Sequence, residues 1–126
     1  LIESGTKLYL DSVDPILVQQ NLEWGAVGAT SNPIIIADLI KKGTYDEMIQ
    51  ELASQGLSDH DICWTVNDRI VQTAQDAFLP VWEKSRGDAG WVSFELDPLI
   101  DDPDNDLTQA QRVDAYIELG RKWSQG

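Results

Sequence analysis

Short apolar runs alternate along the chain with longer stretches in which apolar residues recur every three or four positions. Lys7-Leu8-Tyr9-Leu10-Asp11 is brief, aliphatic and aromatic, and bounded by Gly5 and the turn-forming 11–15 segment, which predicts a buried strand over 7–11. Ala26-Val27-Gly28-Ala29 is made of residues small enough for close backbone approach and predicts a second strand over 26–30. Trp91-Val92-Ser93-Phe94-Glu95 predicts a third over 91–95. After the first run, Asp14 can cap a helix that Pro15 opens, with Leu17, Val18 and Leu22 at helical spacing and Gly25 as its stop. Pro33 opens an apolar helix that runs through Leu39-Ile40 to Gly43. Inserted helices are predicted over 44–84. The first carries Tyr45, Met48, Ile49 and Leu52 on one side and stops at Gly56. The second starts at a partial capping box, Ser58 with Asp61. It carries a stripe of Ile62, Val66, Ile70, Ala74, Ala77 and Val81, with a bend expected at Pro80. An acidic, proline-containing loop follows. Thr108 and Gln111 then form a capping box for a last helix over 108–123, whose expected buried face is Val113, Tyr116, Ile117, Gly120 and Trp123.

Strands alternating with helices predict an α/β fold with a parallel sheet and right-handed crossovers. Three strands leave two bare edges, and the chain stops after a helix, where a fourth strand would begin; the expectation is a segment of a larger fold. In parallel α/β folds, ligands bind beyond the carboxyl ends of the strands. This chain places Asp11 there after the first strand, Thr30-Ser31-Asn32-Pro33 after the second, and Glu95 at the end of the third. A carboxylate pair beside an amide and a hydroxyl suits proton transfer on a hydroxylated substrate. Singly, each residue has a plainer reading: Asp11 as a cap, Asn32 as a turn residue, Glu95 as a solvated strand end. Their coincidence at one face favours the chemical reading.

Composition removes several alternatives. The 126 residues are 42% hydrophobic, enough for one buried core, with a single cysteine, Cys63, that excludes an intrachain disulfide scaffold or a cysteine zinc cluster. No run approaches the roughly 20 apolar residues that span a bilayer, and no basic-then-apolar leader opens the chain. Leu1 in place of methionine points to an N-terminus that is already cut. A net charge of −13 repels nucleic acid backbones and anionic lipid, so neither nucleic acid nor membrane is expected as a partner. No metal site is expected. His60 is the only histidine, and the Asp102, Asp104, Asp106 run lacks the glycine and glutamate of a calcium loop. Cys63 and most of the five tryptophans read as core residues, Trp91 at the start of the third strand being the one placed to do more.

Leu8-Tyr9-Leu10-Asp11, Gly28-Ala29-Thr30-Ser31-Asn32-Pro33-Ile34-Ile35 and Val92-Ser93-Phe94-Glu95-Leu96-Asp97 resemble successive N-terminal motifs of the transaldolase family of class I aldolases. The Thr-Ser-Asn-Pro element is the most specific of the three, with Ser31 where the family usually carries a second threonine. The resemblance covers nearly the whole chain, including the long helical insertion between Asn32 and Glu95, a feature of full-length transaldolases rather than of their shorter fructose-6-phosphate aldolase relatives. It implies the N-terminal portion of a TIM (β/α)8 barrel, about three βα units plus extra helices. It implies that Asp11 is the acid/base acting on the C4 hydroxyl, and that Glu95 activates a water for proton relay around a Schiff base. Thr30 would help to hold that water, and Asn32 would bind hydroxyls of the three-carbon ketol unit.

The family's Schiff-base lysine lies on the fourth strand, beyond this segment. None of Lys7, Lys41, Lys42, Lys84 and Lys122 falls at a strand end in a position that promises desolvation. The resemblance therefore implies an intact parent that transfers a dihydroxyacetone unit between ketose and aldose phosphates in cytoplasmic pentose phosphate metabolism, without metal or organic cofactor. The segment alone is expected to be inactive and prone to self-association through its sheet edges. Two rival readings stand beside this one: a non-catalytic interaction module derived from an aldolase half-barrel, and a different lysine-dependent aldolase.

Overall fold

The three apolar runs become strands β1 (Tyr9–Leu10), β2 (Gly28–Ala29) and β3 (Trp91–Val92) of one parallel sheet in the order β1-β2-β3. The structure is a computed structural model describing residues 2–124. Tyr9 pairs with Gly28 and Leu10 with Ala29, while Gly28 pairs with Trp91 and Ala29 with Val92. Regular strand is shorter than the sequence predicts, but backbone bonding runs past it. Val27 N–H donates to the Leu8 carbonyl at 2.8 Å, Thr30 N–H to Leu10 at 2.8 Å, and Ser93 N–H to Ala29 at 3.1 Å. Close approach at β2 depends on Gly28: a Cβ there would overlap the Tyr9 ring and the Trp91 carbonyl oxygen.

Five α-helices accompany the sheet among the described residues: α1 (Pro15–Glu23), α2 (Pro33–Lys41), α3 (Asp46–Ser54), α4 (Asp59–Ser85) and α5 (Gln109–Trp123). Their starts follow the local chemistry. Asp14 accepts from the Ile16 and Leu17 N–H groups, Asn32 from Ile35, and Ser58 from Asp61; Thr108 and Gln111 complete a reciprocal capping box. Helix α4 continues through Pro80 to Ser85 and ends on Arg86 in the left-handed conformation (φ 56°).

The chain divides into two compact units, Leu1–Phe94 and Glu95–Gly126. In the first, α4 supplies Val66, Ile70 and Ala74 of the expected stripe, together with Val71 and Phe78 from outside it, to a core shared with Val13, Val18, Ala29, Ile36 and Leu39. Ile62, Ala77 and Val81, expected in the stripe, pack at its margin. In the second unit, the acidic loop is ordered around Arg112. Its guanidinium donates to the carbonyls of Ile100 (2.6 Å), Asn105 (3.1 Å), Leu107 (3.2 Å) and Asp102 (3.3 Å). Tyr116 O–H donates to Asp101 at 2.8 Å, and this bond to a carboxylate holds the Tyr116 hydroxyl pKa above its ordinary value.

Three packing expectations are corrected. Cys63 is exposed, because it lies one turn before Val66, the first buried residue of α4. Trp24 and Trp91 are 60% and 57% exposed and Trp82 is also exposed; Trp91 stands on the edge strand β3, its indole N–H satisfied by the Gly87 carbonyl at 2.9 Å. Val113 and Ile117 on α5 are exposed as well, since their unit holds only a 3-10 turn (Pro98–Asp101) and a loop besides that helix.

Candidate active site at the carboxyl ends of the strands

Asp11 directly follows β1 and Thr30 directly follows β2, so the parallel register brings them side by side. Thr30 Oγ1 donates to Asp11 Oδ1 at 2.8 Å, joining the two strand ends through side chains. The bond engages one carboxylate oxygen of Asp11 and leaves Oδ2 open; the Thr30 hydroxyl, having donated, keeps its lone pairs as acceptors. Asp11 itself is exposed, so its second oxygen is reachable from solvent.

Asn32 follows Thr30 by two residues. Its Oδ1 accepts the Ile35 N–H at 2.9 Å as the cap of α2, with Pro33 in the first helical position. Capping fixes the plane of the amide and leaves the two N–H donors of Nδ2 for another acceptor. A hydroxyl oxygen of a bound polyol is such an acceptor. Between Thr30 and Asn32, Ser31 is 5% exposed and tied to the end of β3. Its N–H donates to Ser93 Oγ at 3.0 Å, and its own hydroxyl donates to the Ser93 carbonyl at 2.7 Å.

Glu95 lies three residues past β3 and is the first residue of the second unit; it is exposed. Asp11, Thr30 and Asn32 are thus assembled within the first unit, and Glu95 belongs to the other. The described residues contain no cluster of three or more His, Cys, Asp or Glu side chains arranged to hold a metal ion.

The lysines lie as follows. Lys7 Nζ binds Asp88 Oδ2 at 2.8 Å and the Asp88 carbonyl at 2.7 Å. Lys41 pairs with Asp38 at 3.3 Å, and Lys122 lies over the Trp123 ring at 4.6 Å. Lys84 sits exposed in the last turn of α4. Lys42 caps the end of α2, as its position suggests, but its ammonium also reaches Asp14 Oδ2 at 2.7 Å. Its side chain is 58% exposed against 12% for Asp14. A solvated, ion-paired ammonium differs from the desolvated amine that a carbonyl nucleophile requires. The Lys42 partner is the main reason that the Asp14 carboxyl lies below its ordinary 3.8, with the Ile16 and Leu17 N–H groups adding to the effect and burial opposing it. Burial, followed by the charge on Asp14, raises the Tyr45 hydroxyl pKa.

The Ser31–Ser93 pair and the Lys42–Asp14 pair were not singled out from sequence. For the first, the available signal was a hydroxyl residue just past the ends of two neighbouring parallel strands. For the second there was none, because the partners sit on different elements.

The transaldolase/fructose-6-phosphate aldolase family model matches residues 8–122. The transaldolase of Saccharopolyspora erythraea is 31% identical over 128 residues, covering 96% of this chain and 34% of that protein. That of Kocuria rhizophila is 32% identical over 126 residues, covering 94% and 34%. The transaldolase of Mycobacterium tuberculosis is 41% identical over a shorter stretch of 75 residues, 59% of this chain and 20% of that protein. The chain spans about one third of the length of the first two relatives. With the match extending over nearly all of its residues, the chain belongs to the transaldolase/fructose-6-phosphate aldolase family.

Proposed function

We propose that this chain is the N-terminal portion of a (β/α)8 barrel and carries the acid/base half of a transaldolase site, the Schiff-base lysine lying in the remainder of an intact parent. The observation that carries the reading is the Thr30–Asp11 bond, which sets a carboxylate and a hydroxyl together at the strand ends, two residues from the Asn32 amide.

In the proposed reaction a lysine amine adds to the ketose phosphate carbonyl, and the carbinolamine loses water to form an iminium. Glu95 relays the protons for that step through a water, and the Thr30 hydroxyl oxygen is an acceptor open to a bound water. The open Oδ2 of Asp11 then takes the proton of the C4 hydroxyl. The C3–C4 bond breaks, its electron pair moves into the iminium, and the aldose phosphate departs, leaving a three-carbon enamine. Addition of the enamine to an acceptor aldose carbonyl forms the new bond and restores the iminium, and Asp11 returns the proton to the resulting alkoxide. Water then adds to the iminium and expels the lysine amine, releasing the ketose phosphate. Asn32 holds the hydroxyls of the three-carbon unit through Nδ2. The imine serves as the electron sink, so the reading requires no metal or organic cofactor. It implies a sugar phosphate substrate and a place in cytoplasmic pentose phosphate metabolism, and it predicts that the isolated segment self-associates through the edges β1 and β3.

The test is made in the intact parent. Asp11→Asn is expected to lower kcat for transfer from fructose 6-phosphate by roughly 10²- to 10⁴-fold, the usual contribution of a positioned acid/base group, with Glu95→Gln in the same range. Variants that fold and retain full kcat overturn these assignments.

A further inference from the structure

The contact between Ser31 and Ser93 replaces a sheet bond. In an evenly spaced parallel ladder, the bond after Ser93 N–H to the Ala29 carbonyl would run from Ser31 N–H to the Ser93 carbonyl. Both groups are instead satisfied by hydroxyls, Ser31 N–H by Ser93 Oγ and the Ser93 carbonyl by Ser31 Oγ. The substitution lets the end of β2 leave the sheet without stranding a buried donor, since Ser31 is 5% exposed. It also fixes Ser31 in place at the start of α2. Asn32 is still extended (φ −151°, ψ 165°), and along extended backbone alternate side chains share a face. With Ser31 held toward β3, its two neighbours are fixed on either side of it, Thr30 bonded to Asp11 and Asn32 capping α2.

We propose that the Ser31–Ser93 hydroxyl pair is a positioning clasp that orients Asn32 and Thr30 for substrate, an inference that rests on the functional reading above. Neither serine touches substrate. The clasp acts through its neighbours, chiefly through the Asn32 amide, whose cap on α2 and whose attachment to Ser31 constrain it from both sides.

The experiment is a mutant cycle in the intact parent, read by kcat/KM for transfer from fructose 6-phosphate and by the thermal midpoint. Ser93→Ala is expected to lower kcat/KM about tenfold to a hundredfold, the scale of a misplacement of ~1 Å, and to lower the midpoint by a few degrees because the buried Ser31 N–H loses its acceptor. Ser93→Thr keeps the hydroxyl at an exposed position and is expected to stay within about twofold of wild type. Asn32→Asp keeps the helix cap but removes the amide donors. In that background Ser93→Ala is expected to cost less than about twofold, because the residue it acts through is already gone. Should Ser93→Ala fail to fold, Ser31→Ala takes its place in the same cycle. Full activity in the alanine variant, failure of threonine to rescue, or an undiminished loss in the Asn32→Asp background overturns the clasp. Borohydride trapping of a lysine by fructose 6-phosphate in the wild-type parent separates the two readings. Trapping with an unaffected alanine variant refutes the clasp alone, whereas absence of trapping refutes the functional reading and the clasp with it.

Discussion

Asp14 serves three partners with one carboxylate: two backbone N–H groups at the start of α1 and the Lys42 ammonium at the end of α2. Because its folded pKa lies below 3.8, its stabilising contribution is present in full above that value and is lost as pH falls through the folded pKa. Asp14→Asn retains a capping oxygen and removes the ion pair. We expect it to lower stability by roughly 1 kcal/mol at pH 7, at the upper end for a pair with one solvated partner. The difference from wild type should shrink toward zero as pH drops below 3.8, as read by urea denaturation across the pH range. A difference that stays constant into acid would contradict the assignment. The capping role was legible from Asp-Pro ahead of a helical pattern; the lysine partner was not, because nothing local connects positions 14 and 42. Asn32 shows the same division. Its cap could be read from Asn-Pro, whereas the freeing of Nδ2 by that cap emerges only when the hydrogen bond is in place.

At the scale of elements, the long periodic segment was the most legible. The stripe along α4 is strictly helical in spacing, and Val66, Ile70 and Ala74 fall in the core as that spacing requires. The strands were legible as apolar runs but not in extent, since regular pairing covers two residues in each and side-chain bonds take over at the β2–β3 rim. Helix α5 was located by its capping box, yet periodicity alone does not say what is available to cover an apolar face. The narrowest tolerance lies at Gly28, whose neighbours on both sides leave no room for a methyl group. Gly28→Ala forces β1 and β3 apart against a backbone oxygen that cannot swing away. The expected cost is about 3 kcal/mol, the upper part of the range for overpacking, read from the urea midpoint. A variant within about 0.5 kcal/mol of wild type would show that the sheet is looser than its register implies.

For the whole molecule, membership of the transaldolase/fructose-6-phosphate aldolase family agrees with helices joined to a three-stranded parallel sheet. The motifs carrying it were visible in the sequence because Asp11, Thr30 and Asn32 sit immediately beyond short apolar runs, where parallel α/β folds place their chemistry. Arg112 was not visible as an organiser of the acidic loop, because its partners are backbone carbonyls, which no side-chain pattern marks. Each of the five lysines of this chain is solvated, and Lys7, Lys41 and Lys42 are ion-paired as well, so the proposed mechanism takes its nucleophile from the remainder of an intact parent. Borohydride reduction in the presence of fructose 6-phosphate, followed by mass mapping of the labelled peptide, tests that placement directly. No adduct is expected on the 126-residue chain alone, and a single lysine adduct is expected in the remainder of the intact parent. An adduct on Lys7, Lys41, Lys42, Lys84 or Lys122, or an unlabelled parent, would contradict it.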